Sequence, residues 1–257
     1  MCLINLHGIL IKYRKALSGA GMLILVVLIF WAVNSPAIVG ASSTQRQLPV
    51  YSVQRSDKVA ALSFDAAWGN EDTQTLIDIL HEYGVLTTFF VVGDWVDKYP
   101  ESVRALSEAG HEVMSHSSHH DHFSKLSTEQ IRADLEVCSG KIEAVTGVAP
   151  RLFRCPYGEY DDHVIRAVRE MGMEPIQWSV DSLDWKGLSA SEIAQRVLQS
   201  IQPGSIVLFH NAAEHTPEAL PEILESLRRQ GYEIVPVSQL LLEGETFIDS
   251  TGCQCPR

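Results

Sequence analysis

The chain has 257 residues, 46% of them hydrophobic, which suffices for the core of one large α/β domain. The net charge is −12, and three of the 20 basic residues lie in the first 41 positions, so the remainder has 17 basic residues against 32 acidic ones, or −15. This acidic remainder excludes the basic face that a nucleic-acid partner requires, and it disfavours tight binding to an anionic surface. A neutral polymer is compatible with this charge.

The first 41 residues combine a basic start with an apolar stretch. Lys12, Arg14 and Lys15 precede the uninterrupted apolar run 22–33. A full membrane span needs about 20 such residues, so this run is short unless the small residues before it are included. The segment 1–41 is therefore predicted as a hydrophobic helix, either a secretion signal cleaved before Ser42 or a retained membrane anchor. Both interpretations place the rest of the chain outside the cytoplasm, and an uncleaved segment would contact the membrane.

The remaining chain is predicted as a linker, one α/β domain and a C-terminal tail. The polar segment 42–57 reads as the linker, 58–240 as the domain and 241–257 as the tail. Within the domain, short apolar runs alternate with helical patterns that end at glycine. The predicted strands are 59–64, 87–92, 111–115, 152–154, 174–180, 205–210 and 233–235. The predicted helices are 73–83, 100–109, 127–145, 162–171, 189–200 and 220–229, with a short one near Leu240.

This alternation predicts a parallel sheet, because each parallel crossover needs a helix. Seven strand–helix units are one short of the eight-fold barrel, so the expected fold is a distorted seven-stranded (β/α) barrel. Polar residues stand at or just past the ends of several predicted strands. The carboxyl ends of barrel strands meet on one rim, so these side chains are expected to converge there. They are Asp65, His116, Arg154, Asp181 and His210.

His116 and His120 are the predicted metal ligands. They stand four residues apart, so on a helical turn both imidazoles would share a face and reach one cation. Imidazole suits zinc, and cobalt or manganese less selectively. The alternative is a solvated histidine-rich loop; the position after a strand favours the metal.

The other strand-end residues suggest acid–base chemistry. Asp65 is either a general base or the structural partner of a cation, and Arg154 could orient it through a bidentate pair. The turn 155–158 that follows Arg154 could present backbone N–H groups to an oxyanion. His210 is a metal ligand, a general acid or a hydrogen-bonded core residue. Asp181 could hold its imidazolium and raise the pKa of His210, as a general acid near neutral pH requires.

Trp185 and the cysteines leave alternatives open. Trp185 suits either a sugar-binding cleft or ordinary core packing, with equal weight. Cys138 lies on a predicted helix and is expected in the core. Cys253 and Cys255 lack the second pair that a zinc knuckle needs, and a disulfide between them would close a strained loop. We expect them to cap the tail.

Five segments in order resemble the polysaccharide deacetylase family, the NodB-homology domain of carbohydrate esterase family four. The resemblance spans about residues 58–240. It implies a distorted seven-stranded barrel and metal-dependent hydrolysis of N-acetyl groups from amino sugars, commonly with zinc. The segments read SFDAAWG at 63–69, HSSHH at 116–120, RCPYG at 154–158, DSLDW at 181–185 and LFH at 208–210.

The resemblance implies a role for each site residue. Asp65 is the base, His116 and His120 hold the metal, and His210 is the acid. Arg154 orients Asp65, Asp181 tunes His210, and the backbone N–H of Tyr157 faces the oxyanion. Trp185 and Pro156 are the predicted substrate contacts. The implied substrate is a cell-wall glycan, most consistent with peptidoglycan, and the ending Trp68-Gly69 resembles exported deacetylase-like proteins of spore-forming bacteria, some of them tied to spore or cell-wall maturation.

Ala66 departs from the family pattern. The family motif has two adjacent aspartates, the second of which binds the metal, and Ala66 stands at that second position. Catalytic zinc normally keeps three protein ligands. Asp72, Asp94 or water could replace the missing one, although both aspartates also suit solvated loops or helix caps. Ala66 therefore motivates the alternative of a catalytically weak or inactive glycan-binding protein on the same scaffold.

Overall fold

The computed structural model describes residues 22–31 and 46–257, which fall into two compact units, Met1–Arg46 and Gln47–Arg257. In the first unit, residues 22–31 are helical and their apolar side chains are exposed. None of the helices in the described ranges has the length and apolar character that crossing a membrane requires. The rest of the predicted signal or anchor segment, 1–21 and 32–41, lies outside the described residues.

The second unit alternates strands and helices. Its strands are β1 (Ser52–Val53), β2 (Val59–Ala66), β3 (Thr88–Val91), β4 (Glu112–Ser115), β5 (Leu152–Phe153), β6 (Glu174–Pro175), β7 (Val180–Asp181), β8 (Ile206–His210), β9 (Glu233–Ile234), β10 (Thr246–Ile248) and β11 (Cys253–Pro256). Its helices are α1 (Thr73–Glu82), α2 (Gly93–Lys98), α3 (Pro100–Glu108), α4 (Thr128–Thr146), α5 (Asp162–Glu170), α6 (Ala190–Ser200), α7 (Thr216–Arg229) and α8 (Val237–Leu240). Short 3-10 turns occupy Phe123–Lys125, Pro156–Gly158 and Asp184–Lys186.

Seven of these strands form a curled parallel half-barrel in the order β6-β5-β4-β3-β2-β8-β7, and β9 pairs with the start of β2. This confirms the α/β prediction and agrees with a distorted barrel. Capping boxes at Ser127 and Ser189 begin α4 and α6, at the starts predicted for these two helices.

The strand predicted over 174–180 is two strands at opposite edges of the sheet. Glu174–Pro175 pairs with β5, whereas Val180–Asp181 pairs with β8. The intervening residues cross the open side of the half-barrel, where Ile176 forms a bridge with Val50. The predicted linker 42–57 therefore ends before Val50, which is fully buried in the barrel.

Alternation along β2 divides the core into an inner and an outer part. Val59 and Ala61 belong to the apolar cluster inside the half-barrel. Ala60 and Ala66 belong to the larger cluster that packs under the helices. Asp65 is an even number of residues from Val59 and Ala61, so its side chain lies on the same inner face of β2. Because Asp65 is near the end of the strand, its carboxylate lies at the mouth of the barrel.

Candidate active site

Asp65 and Arg154 form a buried ion pair at the carboxyl rim. Asp65 is 5% exposed and Arg154 is 0% exposed. Arg154 Nη1 donates to Asp65 Oδ1 at 2.7 Å, while Nη2 donates to Ser63 Oγ at 2.8 Å. The bidentate contact that we predicted is thus a single hydrogen bond, because the second Nη atom is taken by Ser63. Arg154 also lies over the Phe90 ring, 4.1 Å from its centroid.

The environment keeps Asp65 ionised. Burial alone would raise the pKa of Asp65, but the charge and hydrogen bond of Arg154 and the charge of protonated His210 act in the opposite direction. The net effect holds the pKa of this carboxyl below its ordinary value. Asp65 is therefore a carboxylate near neutral pH, with Oδ1 fixed by Arg154.

His116 lies directly after β4 and faces Asp65. Its Nδ1 atom donates to the carbonyl oxygen of Arg154 at 2.8 Å, which leaves the Nε2 lone pair free for a ligand. Nε2 lies 3.4 Å from Asp65 Oδ2. Burial lowers the pKa of His116 more than Asp65 raises it, so the imidazole is neutral.

His120 reaches the same rim without a helical turn. Residues 116–120 form an irregular loop in which Ser117 and His120 have positive φ angles of 74° and 59°. Hydrogen bonds from Ser118 to Asp134 hold this loop, so our prediction of a shared helical face is wrong. The two imidazoles still meet, with ring centroids 5.0 Å apart, and burial lowers the pKa of His120 to about 4.

His210 ends β8, and its direct partner is Asp184. The Nδ1 atom and the backbone N–H of His210 both donate to the Asp184 carboxylate at 2.8 Å. Burial lowers the pKa of His210. The hydrogen bond and the charge of Asp184 raise it, with smaller contributions from other carboxylates, and the net shift of the pKa is upward.

The prediction that Asp181 is the direct partner of His210 is therefore wrong, and Asp181 acts on His210 only as a more distant charge. Its Oδ1 atom accepts from the backbone N–H of Leu183 at 2.9 Å, and Leu183 adopts a positive φ of 54°. This turn brings Asp184 beneath His210. Asp181 makes a smaller electrostatic contribution to the raised pKa of His210.

Aromatic side chains surround these groups. Trp68 is 49% exposed and stacks on His210 with ring centroids 6.0 Å apart. Tyr157 is exposed and packs edge-on against His120 at 4.5 Å. Trp185 is 55% exposed, which excludes the core-packing alternative. Pro156 is buried in its turn, so Tyr157 rather than the Pro156 ring reaches the surface.

Sequence reasoning missed three residues that organise the rim: Asp184, Trp68 and Asn211. Asn211 is buried, donates to the Gly69 carbonyl oxygen and accepts from the Ala67 N–H at 3.3 Å, so it fixes the loop that presents Trp68. Its position directly after the histidine that ends β8 was the available signal. Asp184 and Trp68 lay inside quoted motifs, but their spacing did not indicate their contacts.

The donor set fits a divalent cation only in part. Both imidazoles are neutral, as metal ligands must be. Within residues 22–31 and 46–257, however, His116 and His120 belong to no group of three His, Cys, Asp or Glu ligand atoms within 4.8 Å of one another. Asp72 accepts from the Ala212 N–H, and Asp94 pairs with His119 at 2.9 Å. The third protein ligand typical of catalytic zinc is therefore not formed.

Comparison with known proteins identifies the family of this chain. The family model described as polysaccharide deacetylase matches residues 52–176. The peptidoglycan-N-acetylglucosamine deacetylase PgdA of Listeria monocytogenes is 34% identical over 209 residues, covering 80% of this chain and 44% of PgdA. The uncharacterised YlxY protein of Bacillus subtilis is 32% identical, covering 76% of this chain and 61% of YlxY. The chain belongs to the polysaccharide deacetylase family. It spans about half the length of these two relatives.

Among solved structures of the polysaccharide deacetylase family, the BA3943 protein of Bacillus anthracis is similar to this chain. It is described as a CE4 family pseudoenzyme, with a TM-score of 0.73, 34% identity, and coverage of 75% of this chain and 68% of BA3943. A mutant of BA3943, 35% identical to this chain, is described as having restored enzymatic activity. The chain is therefore similar both to named peptidoglycan deacetylases and to a family member described as a pseudoenzyme.

Proposed function

We propose that this deacetylase-family chain hydrolyses N-acetyl groups of amino sugars in a cell-wall glycan of the peptidoglycan type. The supporting observation is that two carboxylate–cation pairs lie on one rim, next to two imidazoles. The pairs are Asp65 with Arg154 and Asp184 with His210, and the imidazoles are those of His116 and His120. Relatives named as peptidoglycan deacetylases support the substrate class. An acidic surface is compatible with a polymer that gains amines as the reaction proceeds.

In this proposal each residue acts at a defined atom. The free Oδ2 side of Asp65 accepts the proton of the attacking water while Arg154 holds Oδ1. His210, kept protonated by Asp184, donates a proton to the departing amine. The Tyr157 backbone N–H faces the oxyanion, and the exposed Trp185 contacts the sugar. When bound at His116 and His120, a divalent cation, for which we propose zinc, supplies Lewis-acid polarisation of the acetyl carbonyl.

The second candidate is glycan binding without turnover. Ala66 favours it, because two imidazoles without a carboxylate ligand bind a cation more weakly. The description of BA3943 as a pseudoenzyme supports the same candidate. The exposed aromatic side chains of the rim would still contact a sugar in this case.

One experiment separates the candidates. Acetate release from N-acetylated peptidoglycan oligosaccharides is measured with added zinc or cobalt, and glycan affinity is measured in parallel. Release above that of the Asp65→Asn variant supports hydrolysis. Binding without release, together with release by Ala66→Asp, supports the binding protein. Absence of both binding and release by the folded wild-type chain overturns both candidates.

We also propose that the chain acts outside the cytoplasm. The basic start and apolar run of the N-terminal segment support export, and the named relatives act on the cell wall. Whether a membrane is a second partner depends on cleavage of that segment, which mass measurement of the protein isolated from cell wall and membrane fractions tests.

A further inference from the structure

The C-terminal hairpin gathers three potential metal ligands away from the rim. One ligand atom each from Asp249, Cys253 and Cys255 lie within 4.8 Å of one another, and both thiols are free. The hairpin is anchored by β1, which bridges to Ser205 just before β8. His210 ends β8, and five residues of strand span about 16 Å, so this cluster belongs to the amino end of the strands.

Strand geometry places both thiols on one side. Cys253 and Cys255 are two residues apart on β11, and side chains at such positions point to the same face. The strand is held on both edges, because Cys253 is in register with Ser52 of β1 and Cys255 with Phe247 of β10. The two sulfur atoms are therefore held together by the backbone pairing of β11.

The turn between β10 and β11 presents the carboxylate. Asp249 Oδ1 accepts from the Thr251 N–H at 2.8 Å, from Thr251 Oγ1 at 2.7 Å and from the Cys253 N–H at 3.0 Å. All three of these hydrogen bonds are made to Oδ1, so the carboxylate is held in a fixed orientation and Oδ2 accepts none of them. Hydrogen bonds of this kind, made by the second oxygen of a ligand, fix ligands at metal sites.

A disulfide fits this arrangement less well than a cation. Disulfides usually join Cα atoms 4.4–6.8 Å apart, with most near 5.5–6 Å. Two residues of extended strand span about 6.6 Å, at the upper end of that range, so the commoner separation is reached only by shortening β11 against its pairing with β1 and β10. Two thiolates that bind the same metal ion need not come within bonding distance of each other, because each sulfur atom binds the ion at about 2.3 Å.

We propose that Asp249, Cys253 and Cys255 form a binding site for a thiophilic divalent cation of the zinc and cadmium class. The three side chains supply two sulfur ligands and one oxygen ligand, and the fourth position stays open to water. The bound ion would tie the 249–252 turn to β11, and thereby to β1 at the amino end of the barrel. This proposal is independent of the activity proposed for the rim.

Cadmium titration of the purified full-length chain under reducing conditions tests it. Sulfur coordination gives an ultraviolet thiolate-to-metal charge-transfer band, which His116 and His120 cannot produce. We expect the band at one cadmium per chain. We expect Cys253→Ser and Cys255→Ser each to weaken cadmium binding more than about 100-fold, and Asp249→Asn about 10- to 100-fold. Cys2→Ser is the matched control and should leave the band unchanged.

Two outcomes would overturn the proposal. One is the absence of the band, or a band that survives in both Cys253→Ser and Cys255→Ser. The other is a Cys253–Cys255 disulfide in the chain isolated without reductant, detected as a peptide lighter by two hydrogens. Asp249→Asn leaves both thiols in place, so it keeps the test valid if a cysteine variant does not fold.

Discussion

The Asp184 carboxylate accepts two hydrogen bonds from His210, one from the imidazole Nδ1 and one from the backbone N–H, each at 2.8 Å. The same carboxylate accepts from Thr216 Oγ1 at 2.7 Å, and its side chain is fully buried. A buried carboxylate in this position fixes the tautomer of His210 and stabilises its protonated form. Nε2 is thereby aimed toward the rim as the proton-donating atom.

Asp184→Asn should lower the pKa of His210. Asp184 is the main group that raises this pKa, so its loss leaves only the smaller effects of Asp65 and Asp181 against the burial that lowers it. Proton NMR titration of the histidine ring measures the shift directly. Asp181→Asn is the matched control and should move the pKa less. An equal shift in both variants would contradict the assignment of Asp184 as the direct partner.

The same pair predicts a pH-dependent stability. A histidine whose pKa is raised by folding contributes stability that is fully present below its unfolded pKa and is lost as pH rises through its folded pKa. The difference in unfolding free energy between wild type and Asp184→Asn should therefore be larger at pH 6 than at pH 9. Urea unfolding at the two pH values measures it, and a difference that grows with pH would count against the pair.

Arg154→Met should destabilise the domain by about 3–5 kcal/mol. Removing one partner of a buried ion pair leaves the other charge without compensation, and Asp65 is 5% exposed. Ser63 also loses the donor at 2.8 Å. Arg151→Met, an exposed arginine three residues earlier, is the control and should change the free energy of unfolding by less than about 0.5 kcal/mol. Similar urea midpoints for the two variants would contradict the buried pair.

Sequence reasoning located the rim but not all of its partners. The strands were readable from apolar runs, and their polar ends do converge, because parallel strands share one carboxyl edge. Asp181 was chosen because it ends a strand, whereas the working carboxylate is Asp184. The positive φ of Leu183 redirects the chain between them, and no propensity of leucine predicts that conformation.

Loop geometry limited the prediction elsewhere too. His116 and His120 meet through a loop held by Asp134, a residue of α4 that no spacing rule connects to them. The predicted strand 174–180 divides because its two ends pair at opposite edges of the sheet. An apolar run indicates that a segment is buried but not which strand it pairs with. The sequence therefore does not show that one run contributes to both edges of the sheet.

Ala66→Asp should make stability depend on metal. Ala66 is fully buried and belongs to the apolar cluster under the helices, so an unpaired carboxylate there should cost about 1–3 kcal/mol. Added zinc should recover this loss, because the resemblance to the family motif assigns an aspartate at this position to the metal held by His116 and His120, and binding the metal draws the carboxylate out of the apolar cluster. Thermal unfolding with zinc and with a chelator measures the effect. Ala66→Asn, similar in size but uncharged, should show the loss with little recovery.

The exposed indoles of Trp68 and Trp185 should carry much of the glycan affinity. Trp68 stacks on His210 at 6.0 Å and is 49% exposed, so one indole face supports the imidazole while the rest is open to a ligand. An aromatic contact of this kind contributes about 1 kcal/mol, so Trp68→Ala and Trp185→Ala should each weaken binding of an N-acetylated glycan about five-fold by calorimetry. Phe247→Ala removes an exposed ring of the C-terminal hairpin and should leave affinity unchanged. If all three variants bind as wild type does, neither indole contacts the sugar, and the glycan does not bind through Trp68 or Trp185.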